Sequence, residues 1–108
     1  MQESKYESKY EIKVYKIWWE DEPEEFYIGS TKEKRLSNRM TKHRRDSKSS
    51  LKTSKIYQTM RMKGREFKYV QLGSYLVSNR DEQLMFEQLW MDQMKPTLNM
   101  MRAHVFAS

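Results

Sequence analysis

The chain has no cysteine, only two histidines and no apolar run approaching the length of a membrane span. The first absence excludes disulfides and thiolate metal ligands, and His43 and His104 alone cannot complete a Cys/His zinc cluster. A bilayer-crossing helix needs roughly 20 consecutive apolar residues, and a secretory signal needs an apolar region near the N-terminus; neither is present. A soluble intracellular protein without a membrane partner is expected. Only three glycines and two prolines punctuate the 108 residues, so each marks a boundary worth reading.

What is there suits one compact domain with a single core, since the chain is too short for two. Charged residues make up 33%, the hydrophobic set 37% and aromatics 13%, a globular profile with a wet surface. The net charge of +6 is unevenly placed. Residues 20 to 25 hold five acids and no base, whereas residues 32 to 55 hold ten Lys or Arg against Glu33 and Asp46. Such a stripe reads as the electrostatic footprint of a nucleic-acid binder or as a solvated helix face.

Residues 1–10 carry a short tandem repeat, Glu-Ser-Lys-Tyr twice, and read as a polar tail that can extend the first strand. From 11 to 19 the pattern alternates, Ile12 and Val14 opposite Lys13, Tyr15 and Ile17, and closes on Trp18-Trp19. That is a strand. The acidic stretch around Pro23 is a turn, and Phe26-Tyr27-Ile28 returns as a second strand that Gly29 ends. If the two pair, Tyr15 and Tyr27 share a face. A basic helix is expected from Glu33, capped by Thr31, with Leu36, Met40 and His43 on its apolar side and Arg39 beside them; Ser47 to Ser50 break it. Leu51, Ile56, Met60 and Met62 suggest a second short helix stopped by Gly64. Residues 66–77 read as a third strand with Gly73 at a bulge. The last helix has Asn79 as N-cap, Glu82 three residues on, and Pro96 past its end. Its apolar set is Leu84, Met85, Phe86, Leu89, Trp90, Met91 and Met94. Glu87 lies among them. A carboxylate there either pairs with a base or projects into a site that holds a cation.

Tyr15, Tyr27-Ile28-Gly29, Arg39 with His43 four residues on, Glu87 with Trp90, and Leu98-Asn99 after Lys95-Pro96 form an ordered set that resembles the GIY-YIG endonuclease family. The match runs from residue 11 to about residue 103, leaving 104–108 as a C-terminal tail. The first motif here is Lys13-Val14-Tyr15, without the family's glycine, and the segment from Tyr27 to Arg39 is slightly long. Arg35 is therefore an alternative to Arg39, although helical phase favours Arg39. The resemblance implies an α+β fold in which helices flank a small three-stranded antiparallel sheet. It also implies metal-dependent hydrolysis of DNA phosphodiesters, in the manner of the stand-alone domains of mobile elements and large DNA viruses.

In the chemistry so implied, Glu87 holds Mg²⁺ or Mn²⁺, Arg39 grips the scissile phosphate, and Tyr27 is the general base with Tyr15 beside it. A tyrosine pKa near ~10 is too high for a base, so a cation or a proton relay is needed, for which His43 is the candidate. On residue type alone, Tyr15 and Tyr27 also read as half-buried strand aromatics and His43 as a phosphate contact, while Asn99 either positions the site or caps local backbone groups. Lys42, Arg44, Arg45 and Lys48 are assigned to phosphate-backbone contacts. Few residues follow Asn99, so low sequence specificity or a separate targeting domain or protein is expected. The alternative is a catalytically inactive nucleic-acid-binding module of the same fold. A basic helix for a protein partner or an anionic membrane fits less well, because the stripe lacks a broad apolar face.

Overall fold

The computed structural model describes residues 8–99. Of the two expected tails, residues 1–7 and 104–108 lie outside that range, as does His104. The element order is β1 (Tyr10–Trp18), β2 (Phe26–Thr31), α1 (Leu36–Ser47), α2 (Lys55–Lys63), β3 (Lys68–Val77) and α3 (Arg80–Met94). The sheet is antiparallel with order β2-β1-β3. Helices cover both faces, so this is an α+β domain of the expected outline.

β1 is central because both of its faces are apolar. Tyr15, Ile17 and Trp19 point to one side, where they meet Met40 of α1, Ile56 and Met60 of α2, Phe67 and Leu98. Ile12 and Val14 point to the other, against Phe26, Ile28, Val77 and Met91 of α3. Lys16 is tolerated on that second face because its ammonium lies 4.6 Å from the Phe26 ring centroid. Trp19 is fully enclosed and donates its indole N–H to the Arg65 carbonyl at 3.1 Å. The register between β1 and β3 jumps at Val14/Tyr15, where the partner passes from Gly73 to Gln71. The expected bulge is thus present, with Leu72 the extra residue.

Several boundaries differ from expectation. β2 runs through Gly29 to Thr31 instead of ending at Gly29. α1 starts at Leu36, three residues later than expected, with Arg35 as an N-cap that makes no side-chain bond. Thr31 caps no helix; its Oγ1 accepts from the Glu33 N–H at 3.0 Å in the strand-to-helix turn. Of the expected apolar face of α2, Leu51 precedes the helix and is 88% exposed, and Met62 is 78% exposed. Gly64 does close α2, at φ 62°, the left-handed conformation that glycine adopts without strain. Asn79 caps α3 by accepting from the Glu82 N–H at 2.8 Å, and Glu82 reaches back to the Ser78 N–H at 2.7 Å. The helix ends at Lys95 in a left-handed turn before Pro96. Its inward side holds two buried glutamines, Gln83 and Gln88, while Leu89 faces out.

Residues 97–99 fasten to the outer edge of β2. Leu98 N–H donates to the Phe26 carbonyl, Thr97 Oγ1 accepts from Phe26 N–H, and the Asn99 amide spans Ile28, accepting from its N–H at 3.0 Å and donating to its carbonyl at 2.8 Å. No helix among the described residues is long and apolar enough to cross a membrane.

Candidate active site

Tyr15 stands opposite Gly29 in the β1–β2 register, and Ile17 stands opposite Tyr27. The two tyrosines therefore lie diagonally on one face, ring centroids 6.4 Å apart. Gly29 is required there for space: a Cβ on it would sit 2.6 Å from Tyr15 Oη and 2.8 Å from the Tyr27 ring. α1 lays its inner face over this pair. His43 Nε2 lies 2.7 Å from Tyr15 Oη, His43 Nδ1 lies 2.9 Å from Tyr57 Oη, and Arg39 Nε donates to Tyr15 Oη at 3.4 Å. Arg35 is exposed at the helix start, whereas Arg39 reaches Tyr15.

The protonation of this chain follows from burial. Burial, then the Arg39 charge, pushes the His43 pKa down to about 3, so the imidazole is neutral at pH 7. Tyr15 is fully buried and its hydroxyl proton needs an acceptor. Arg39 offers none, so Tyr15 donates to Nε2, and Nδ1 carries the ring proton and donates to Tyr57. Burial and the Tyr27 phenol raise the Tyr15 pKa well above its ordinary value. His43 is 1% exposed. The reading of His43 as a phosphate contact is thereby overturned: it is an internal link between two phenols.

Glu87 comes from α3 on the other side of β2. Its carboxylate accepts from the Ser30 hydroxyl, which in turn accepts from the buried Gln83 amide at 3.0 Å. No ion pair among the described residues includes it. Burial raises its pKa, against the Ser30 bond and the charges of Arg80 and Arg39, which lower it. The Tyr27 pKa is raised by burial and then by Glu87, with Arg39 and Arg80 pulling it down. Tyr27, Tyr57, Glu87 and Asn99 line one cleft of about 290 Å³ together with Ser54. The Ser54 hydroxyl is buried with no hydrogen-bond partner among the described residues.

Asn99 lines the cleft but spends its amide on the Ile28 backbone, the capping role of its two readings. The four assigned phosphate contacts are scattered. Lys42 pairs with Glu33, Arg44 with Glu66, and Arg45 with Asp46 at 3.6 Å, while Lys48 is exposed. The sequence reading missed Ser30, Tyr57, Arg80 and Gln83. Ser30 directly follows Tyr-Ile-Gly on a strand edge, a position that signals proximity. Gln83 and Arg80 lie four and seven residues before Glu87 on one helix, a phase that puts them on its side, while Tyr57 carries no local signal.

A resident cation can be tested against these groups. Among the described residues no three His, Cys, Asp or Glu side chains converge, so no all-protein metal cage exists there. Mg²⁺ does not need one, because it binds through one or two carboxylates plus phosphate oxygens and water. One unpaired carboxylate, an unpartnered hydroxyl and a cleft fit that pattern. Compared with protein-family models, with curated proteins and with solved structures, the chain matches none. Fold and site define a small α+β domain in which buried Tyr15 and His43 link to a partly buried Tyr57, beside a partly buried carboxylate.

Proposed function

We propose that the chain is a metal-dependent DNA endonuclease of the GIY-YIG type. The observation that carries this reading is the convergence of Tyr15, Tyr27, Arg39, His43 and Glu87, from four elements, at the edge of β2. Glu87 would hold Mg²⁺ or Mn²⁺, which when bound stabilises the pentavalent phosphorane and the departing oxyanion. Arg39 is half-buried beside Tyr15 and presents its remaining guanidinium donors to a phosphate. Tyr27 lines the same cleft as Glu87 and would exchange a proton with a nucleophilic water. Arg39 and Arg80 supply part of the positive charge that eases this exchange. Tyr15, which donates to His43 and accepts from Arg39, would fix Arg39 in position, and Asn99 keeps β2 in place.

The test is conversion of supercoiled plasmid to open-circle or linear DNA, with Mg²⁺ or with EDTA, by the parent, Glu87→Gln and Arg39→Ala. Product is expected only from the parent with metal. Loss of a preorganised group of this kind costs on the order of 10²–10³ in rate. Cleavage by both variants at the parental rate excludes the assigned site. A non-catalytic DNA-binding module is the second reading, favoured by the raised pKa values of both Tyr27 and Glu87. It predicts salt-sensitive retention of DNA and no metal-dependent product.

A further inference from the structure

The basic residues fall into two separate places. Arg44 and Lys48 line a cavity of about 290 Å³ with Arg65, Glu66 and Phe67. Arg39 and Lys42 line a groove of about 280 Å³ with Lys32, Arg80, Ser30, Gln83 and one carboxylate, Glu33, which is paired with Lys42. The acidic turn lies by the first. Lys63, next to Gly64 of that cavity, binds Asp21 at 3.1 Å and Glu22 at 2.8 Å, and Arg44 is itself bonded to Glu66. A polyanion approaching there meets the neighbouring acids of the turn as well as Lys48 and Arg65, which stand in no ion pair among the described residues. The groove is at the other end of the β1–β2 hairpin, where Lys32 and Arg80 have no carboxylate within 4.0 Å among the described residues. Lys32 is held over the Tyr10 ring at 5.2 Å. Arg80 opens α3, two turns before Glu87. Ser30 and Gln83 form a polar floor joined directly to Glu87.

Resting on the nuclease reading, we propose that the substrate strand crosses this groove, with Lys32 and Arg80 binding the phosphates that flank the scissile one. The cavity at the far end of the basic helix stays off the strand's path. A phosphodiester backbone fits because it offers evenly spaced anions to cations that are separate from one another, and because the groove leads to the carboxylate. Binding through it releases counterions, so affinity falls with salt in proportion to the phosphates neutralised.

The experiment is fluorescence anisotropy of a short labelled DNA duplex in EDTA, where no cleavage occurs, over a series of salt concentrations. Lys32→Gln/Arg80→Gln is compared with Arg44→Gln/Lys48→Gln, and circular dichroism checks that each is folded. The groove pair is expected to weaken binding at least ~10-fold and to reduce the slope of log affinity against log salt by about 0.9 per lost contact. The far pair changes both less. Lys32→Arg/Arg80→Lys, which keeps both charges, restores the slope. An equal or larger loss from the far pair, no loss from the groove pair, or no DNA binding by the parent overturns the groove. Retention on anionic vesicles in place of DNA does the same. Groove-dependent binding without plasmid cleavage leaves the groove standing and removes the nuclease reading.

Discussion

A phenol sealed from water must place its hydroxyl proton on a neighbour, and Tyr15 has His43 for that purpose. The cost appears in acid. The native His43 pKa, about 3, lies below the unfolded value of 6.5, so between those pH values the unfolded chain binds more protons than the folded one. Stability is therefore full above pH 6.5 and lost as pH falls toward 3, by at most about 1.4 kcal/mol per pH unit for one proton. Urea midpoints at pH 7, 5 and 4 should fall in that order, and His43→Gln should flatten the decline. Glu87 has the opposite sign. Burial lifts its native pKa above the unfolded 4.5, so its contribution is most favourable below pH 4.5 and declines as pH rises through the native value. Calorimetry of Glu87→Gln, whose amide oxygen still accepts from Ser30, is expected to give a higher Tm than the parent at pH 7 and the same Tm near pH 4. Added Mg²⁺ should raise the parental Tm and leave that of the variant unmoved. A parental Tm indifferent to Mg²⁺ would remove the metal assignment.

β2 is the element that the site depends on. Six residues long, it pairs with β1 on one edge, receives residues 97–99 on the other, and sends Tyr27 to one face and Ser30 toward Glu87. Gly29 at its centre is read from sequence as a strand end, because glycine punctuates most strands. Here it lies within the strand because the Tyr15 ring occupies the space over it. Gly29→Ala should lower stability by about 1–3 kcal/mol, the usual cost of overpacking. It should also push Tyr15 Oη away from His43, so that urea unfolding and plasmid cleavage report losses together. The other elements were legible where their signals are local. Asn79 and Glu82, Gly64, and Gly73 beside the bulge all act as their residue types require. The start of α1 was not, because Thr31 satisfies a turn instead of a helix.

Two clusters, one on each face of β1, make up the core among the described residues, and Leu98, 3% exposed, closes the first of them. Leu98→Ala is expected to cost about 2–5 kcal/mol, measured by urea unfolding. It should also loosen the edge of β2, seen as faster amide exchange at Phe26 and Ile28. Alternation, spacing and capping, all properties of neighbouring residues, determined the order of strands and helices, the pairing of Tyr15 with Tyr27 on one face, and the inward side of α1 that carries Arg39 and His43. They also marked Glu87 as a carboxylate out of place on an apolar helix. Which groups would meet it was decided only by tertiary structure. Ser30 reaches Glu87, Gln83 reaches Ser30, and Tyr57 reaches His43, across sequence separations that no period spans. The separation of the basic residues into a cavity near the acidic turn and a groove beside Ser30 and Gln83 follows from packing, since a charge is felt by distance in space and the sequence records only distance along the chain.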